Sequence, residues 1–293
     1  MSMSMKTMSA GVLAAGLLAA ATPGTAQTPA PAPASAAEWR TVAPENLLII
    51  DTSKGRVVVE LDPRVSAQSV IRIRTLADQG FYDGLKFHRV MEGFMAQTGD
   101  PLGTGEGGST LPDIPGEFSF RRGRDGVFTQ VATGPTGRLG LLGSMAVVTQ
   151  PDAQMMVTAD FKASAQALFC PGVAAMARNN DPNSANSQFF LMTAQNDSLN
   201  GIYTPFGRIL SGLDVVRSLK KGAESGDGKV DDPDIMTHAR TADALPEGQR
   251  PSARVMVTSS PAFAALVEQA RAAATNHQLN VCDIQPPAEI TGG

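Results

Sequence analysis

The stretch FHRVMEGFMAQTGDP, residues 87 to 101, sets Arg89 and Gln97 among two phenylalanines and two methionines. It offers no activated nucleophile and no set of metal ligands. A guanidinium carries five N–H donors, and a carboxamide can both donate and accept. With apolar walls around them, such groups can bind and polarise a substrate. Taken singly, phenylalanines and methionines on strands read as core. An arginine on an apolar strand is harder to place, because burial demands partners for its donors.

Other chemistries find less support. The three histidines, His88, His238 and His277, are too scattered for local zinc spacing, and neither Cys170 nor Cys282 lies in a CxxC. His88 reads as a structural histidine, outside the site. No metal site and no cofactor is implied. No GxSxG elbow marks a serine as a hydrolase nucleophile. GTGEGG, Gly103 to Gly108, formally matches GxGxxG, but Pro112 and Pro115 follow where a phosphate-binding helix would have to start, so a tight surface loop is expected. GDGKVDDPD, residues 226 to 234, lacks EF-hand spacing and reads as a solvated loop.

The elements that would position Arg89 and Gln97 are mostly strands. LLIIDTSKGRVVVELD gives two apolar runs around a Ser-Lys-Gly turn, a β-hairpin beginning near Asn46. In SAQSVIRIRTLADQG, Val70, Ile73, Leu76 and Ala77 share a helical face between a possible N-cap at Ser66 and a stop at Gly80. Asp83-Gly84 is a turn dipeptide, and the opening stretch follows as two strands joined at Glu92-Gly93, with Met95 and Gln97 on one face. SQFFLMTA is apolar at both alternate sets of positions, which predicts a strand covered on both sides. TPFGRIL is a further strand and SGLDVVRSLKKG a short helix. The glycine-rich region 123–170 reads as an insertion, within which DFKASAQALF would turn Phe161, Ala165, Leu168 and Phe169 inward from one helix. SPAFAALVEQARAAA reads as a terminal helix and VCDIQ as a short strand-like end.

At 293 residues the chain can bury a sizeable core, and its net charge of -4, without a basic stripe, argues against nucleic acid as a partner. Lys6, the small apolar run Ala10 to Ala21 and Gly24-Thr25-Ala26 have the form of a secretory signal peptide cleaved after Ala26. The run falls short of the ~20 residues needed to span a bilayer, so no membrane association beyond that leader is expected. QTPAPAPASAA then reads as an extended tether. The expected organisation is a signal peptide over 1–26, a Pro/Ala-rich linker over 27–45, a domain over 46–245 interrupted by the insertion, and a C-terminal extension over 246–293 packed on that domain. Export would place Cys170 and Cys282 in an oxidising compartment, periplasmic or extracellular, where a bond would close a loop of ~110 residues. Two free buried thiols are the alternative.

FHRVMEGFMAQTGDP together with MARNNDPNSANSQFFLMTA resembles the signature of the cyclophilins, the cyclosporin-type peptidyl-prolyl cis-trans isomerases. The similarity runs in order over about 46 to 242 and takes in FYDG, GTGEGG, DIPGEFS and TPFGRIL. The resemblance implies a mainly β fold, a closed eight-stranded antiparallel barrel capped by two helices, and proline-containing polypeptides as partners of a monomer. Arg89 matches the family's catalytic arginine, with Gln97 beside it. Phe94, Met95, Ala177, Gln188, Phe190, Leu199 and Tyr203 match its substrate groove. Tyr203 and Arg178 stand where many relatives have histidine and asparagine, in the manner of bacterial members. Ser198 stands where a tryptophan often contributes to cyclosporin binding. A non-catalytic proline-peptide-binding or chaperone module is the alternative function.

Overall fold

The computed structural model describes Met1, residues 36–275 and residues 278–292. All but Met1 of the expected signal peptide, and the Pro/Ala tract through Ser35, lie outside the described residues. Among these residues no helix is long and apolar enough to cross a membrane.

From the N-terminus the elements are β1 (Trp39–Thr41), β2 (Leu47–Thr52), β3 (Gly55–Leu61), α1 (Ala67–Asp78), β4 (Leu85–Lys86), β5 (Arg89–Met91) and β6 (Met95–Thr98). The middle of the chain supplies β7 (Phe120–Arg122), β8 (Phe128–Gly134), β9 (Gly137–Leu142), β10 (Met145–Thr149) and β11 (Ala163–Ala167). Then come β12 (Val173–Met176), β13 (Phe189–Met192), β14 (Thr204–Ser211), α2 (Leu213–Ser218), β15 (Ile235–Thr241), β16 (Ser252–Met256), α3 (Pro261–Ala273) and β17 (Ala288–Thr291).

The central sheet has nine strands in the order β4-β15-β2-β3-β14-β12-β13-β6-β5. It curls into a half-barrel but stays open, so the closed eight-stranded barrel of the family resemblance is not what the hydrogen bonds describe. The physical reason lies at residues 85–91. β4 pairs with β15 and β5 with β6, and the two end strands do not pair with each other. The gap is spanned by single bonds to the loop before β15, from Val90 N–H to Gly228 O at 2.8 Å and from Val230 N–H to His88 O at 3.0 Å.

Strand alternation explains why both faces of this sheet are apolar. Leu48, Ile50, Val57 and Val59 point to the inner core, where α1 contributes Val70, Ile73 and Leu76 and α2 contributes Val216. Each such side chain stabilises the fold by roughly 1.5–3 kcal/mol on burial. Their neighbours Leu47, Ile49 and Val58 point outward, beneath Ala253 and Val255 of β16. Phe189 and Leu191 of β13 belong to the inner core, while Phe190 and Met192 face a second cluster under the middle sheet and the C-terminal segment. Ser66 occupies the N-cap position of α1, but its hydroxyl donates to Pro205 O at 2.7 Å instead of capping the helix.

The middle strands form their own sheet, β7-β11-β10-β9-β8. Here the helix expected in DFKASAQALF is corrected. Ala163, Ala165 and Ala167 are buried and alternate with Ser164 and Gln166, because β11 is paired on both edges, with β7 and β10. Phe161 lies outside the strand with its side chain exposed.

Two boundaries also move. β1 lies within the stretch expected to be linker, paired with β16, and Arg40 on it grips the buried Glu60 carboxylate through both Nη atoms at 2.6 and 2.9 Å. VCDIQ forms a 3-10 turn over Val281–Asp283 rather than a strand, and the terminal strand is β17 beside β16. In that turn Cys282 is joined to Cys170 by a disulfide. Gln285 adds a second tie, accepting from Arg208 Nε at 3.0 Å and donating to Pro171 O at 2.8 Å. α3 is a helix as expected, with Ser260 accepting from Phe263 N–H at its N-cap.

Candidate active site

Register, more than any one residue, builds the site. Arg89 of β5 lies opposite Gln97 of β6, Gln97 lies opposite Phe190 of β13, and Phe190 lies opposite Ala175 of β12. Directly paired residues point to the same side of a sheet. Arg89, Gln97 and Phe190 therefore form one row on the outer face, and Met95, paired with Met192, lies in the next row. The β5–β6 turn is tight because Gly93 adopts φ +64°, a conformation that suits glycine.

Arg89, Phe94, Met95, Gln97, Ala177, Phe190, Leu199 and Tyr203 line one open pocket of about 170 Å³. Gln188 lines an adjoining cavity of about 550 Å³ that shares Gln97 and Ala177 with it. All nine residues matched to the family's site thus surround one continuous pair of depressions. Phe190 is held edge-on to Tyr203, with centroids 5.7 Å apart, and stacks on Phe169 at 6.1 Å. Leu199 arrives on a 3-10 turn capped by Asn196, whose side chain accepts from Ser198 N–H at 3.0 Å.

A chain of amides fixes the polar side. Arg89 Nη1 donates to Gln97 Oε1 at 3.2 Å, Gln97 Nε2 to Gln188 Oε1 at 2.9 Å, and Gln188 Nε2 to Gly105 O and Gly107 O at 2.9 and 2.8 Å. The guanidinium is thereby coupled to the GTGEGG loop. His88, next to Arg89, is buried, and that burial pushes its pKa below the ordinary histidine value.

Two contributors were not assigned a role from the sequence. Arg178 donates to Ile202 O from Nε and Nη2 at 3.1 and 2.9 Å, lies 4.6 Å over the Tyr203 ring and borders both depressions. Asp227, in the loop expected to be merely solvated, forms an ion pair with Arg89 at 2.9 Å. For Arg178 the departure from asparagine was a signal. Asp227 offered none.

The GTGEGG loop does bind an anion, but that anion is the chain's own. The buried Asp100 carboxylate accepts from Leu102 N–H at 2.7 Å, Thr104 N–H at 2.8 Å and Gly105 N–H at 2.6 Å. A Cβ on Gly107 would collide with that carboxylate. Burial alone would raise its pKa, but the backbone N–H groups outweigh it and hold the carboxyl below the ordinary 3.8. A depressed folded pKa stabilises the fold above the unfolded value, and that contribution disappears as pH falls through the folded value. Asp100→Asn is therefore expected to cost about 1–3 kcal/mol at pH 7. The gap to the parent should shrink as pH falls below about 4. Urea unfolding of both proteins at pH 7 and at pH 3 checks this, and a gap that widened in acid would refute it.

Residues 47–241 match the model of the family described as cyclophilin type peptidyl-prolyl cis-trans isomerase/CLD. A probable peptidyl-prolyl cis-trans isomerase of Brucella suis is 35% identical over 238 residues, covering 78% of this chain and 93% of the relative. A peptidyl-prolyl cis-trans isomerase-like 1 protein of Aspergillus oryzae is 30% identical over 66% of this chain and 93% of its own. The crystal structure of cyclophilin AquaCyp293 from Hirschia baltica superposes with a TM-score of 0.78 at 35% identity, over 87% of this chain and 94% of that one. With a family match spanning the whole central sheet and a groove of the expected composition on its outer face, the chain belongs to the cyclophilin-type peptidyl-prolyl cis-trans isomerases.

Proposed function

We propose that this isomerase accelerates X-Pro rotation in exported polypeptides, acting as a monomer, with Arg89 stabilising the twisted amide while the apolar pocket holds the proline ring. The observation carrying the reading is a pocket of about 170 Å³ in which the partly free Arg89 guanidinium converges with Phe94, Met95, Phe190 and Leu199. Amide resonance sets a barrier of ~18–20 kcal/mol, and uncatalysed exchange takes ~10–100 s. Reaching ~10 ms requires lowering the barrier by about 4–5 kcal/mol. In the twisted state the prolyl nitrogen loses conjugation, becomes pyramidal and accepts a hydrogen bond that neither planar isomer offers. A donor placed there binds the transition state preferentially. Among the described residues, Arg89 has one Nη1 N–H without a protein partner after its bond to Gln97.

Phe94, Met95, Phe190 and Leu199 are the residues assigned to the ring, leaving the preceding carbonyl to swing. Gln97 and Gln188 align substrate backbone and guanidinium together. Exchange NMR on a short Ala-Pro peptide tests the activity of residues 27–293: catalysed exchange is expected, and peptide binding without acceleration would favour the binding-module reading. Export rests on the leader-like sequence before Gln27. The intact mass of protein recovered from a bacterial periplasmic fraction is expected to begin at Gln27. Full-length protein confined to the cytosolic fraction would overturn the assignment to exported substrates.

A further inference from the structure

We infer that Asp227 is a positioning residue for the isomerisation, holding the Arg89 guanidinium at the pocket from a loop 138 residues away in sequence. The inference rests on the reading of Arg89 as the donor to the prolyl nitrogen.

Asp227 meets the guanidinium twice. Its backbone carbonyl accepts from Arg89 Nε at 2.9 Å, and its carboxylate Oδ1 accepts from Nη2 at 2.9 Å. Met91 Sδ also receives Nη2, and Gln97 receives Nη1. Nε and Nη2 are thus fully engaged, and Nη1 keeps the uncommitted donor. A planar fork gripped along one edge has little freedom to turn about its long axis, so that donor is held in a narrow range of directions. Positioning of this kind controls rate more than affinity.

The loop is built to make that contact. Asp227 adopts φ 54° and ψ 32°, a left-handed conformation that aspartate and asparagine tolerate better than most residues. The next residue, Gly228, is also left-handed and packs so close to Met91 and Val90 O that a side chain there would collide. Lys229 then bridges to Arg89 itself. The loop is consequently docked against β5, although the Asp227 side chain is 79% exposed. An exposed ion pair contributes little to global stability. A surface carboxylate, held in an unusual backbone conformation against the one arginine of the pocket row, is better accounted for by orientation than by stability.

The test uses two substitutions that both accept positive φ, so that backbone strain does not confound the result. Asp227→Gly deletes the carboxylate. Asp227→Asn keeps an acceptor at the same place. Asp227→Gly is expected to lower kcat/KM about three- to tenfold while peptide affinity, read by NMR titration, changes less than about twofold. Asp227→Asn should recover most of the loss. In an Arg89→Ala background, Asp227→Gly should have no further effect, since the two residues act as one unit. If Asp227→Gly leaves kcat/KM unchanged while Arg89→Ala is impaired, this inference fails alone. Equal losses in both backgrounds also overturn it. If Arg89→Ala retains full activity, the reading of Arg89 fails and takes this inference with it.

Discussion

Replacing Arg89 by alanine is expected to lower kcat/KM for X-Pro isomerisation by about a hundredfold to a thousandfold, the range seen when a preorganised donor to a developing charge is removed. The loss should fall on turnover. Ground-state amides have planar, weakly basic nitrogens, so the arginine contributes little to their binding, and the apolar pocket is left intact. Stability should change by less than about 1 kcal/mol, because the main partner of Arg89 is an exposed carboxylate. Arg89→Lys should not rescue. An ammonium is a point charge on a flexible stem and cannot serve Gln97, Asp227 and the prolyl nitrogen together from one plane. A protease-coupled assay gives kcat/KM, and peptide titration followed by NMR gives affinity. Activity within threefold of the parent would remove the arginine from the mechanism. A loss matched by an equal loss of affinity would reduce it to a binding residue.

The second large effect is expected in stability. Opening the Cys170–Cys282 disulfide, by reduction or by Cys170→Ser with Cys282→Ser, releases a loop of sequence separation 112. For such a loop the chain-entropy relation gives close to 5 kcal/mol, against a total of ~5–15 kcal/mol for an ordinary domain. Released strain and residual structure in the unfolded chain reduce the figure, so a loss of about 3–5 kcal/mol is expected. At this size each kcal/mol moves Tm by ~2–4 °C, so the midpoint should fall by on the order of 10 °C. The disulfide also reaches towards the groove. Phe169 precedes Cys170 and stacks on Phe190, and Asn196, which caps the turn bearing Leu199, donates from its backbone to Phe169 O. A reduced protein that keeps its fold should therefore bind proline peptides more weakly than the oxidised form. Unfolding curves with and without dithiothreitol decide the first point, and a shift under 2 °C would contradict it.

Much of the sheet was legible in the chain itself. LLII, VVV and FFLM are apolar at both alternate sets of positions, and strand geometry sends those sets to opposite faces. That pattern alone requires a sheet covered on both sides, as the inner core and the outer clusters show. α1 was equally legible, because Val70, Ile73 and Leu76 repeat at helical spacing. DFKASAQALF was not. Over ten residues an alternation of small and polar side chains suits a helix face almost as well as a strand face, and pairing with β7 and β10 decided it. That the sheet stays open was decided at residues 85–91, where pairing is divided between β15 and β6, and no composition signals such a division.

The same division of causes runs through the site. The sequence by itself determined the residue types and, through the motifs around Arg89 and Gln188, the family whose groove they match. Local strand periodicity was also enough to put Met95 and Gln97 on one face. Only the tertiary structure decided what holds Arg89 still. Asp227 touches it from 138 residues away, on a loop whose carboxylates look ordinary in sequence. The contact depends on a left-handed backbone at Asp227 and on docking against β5, and distances in space of that kind leave no period or spacing in the chain to read.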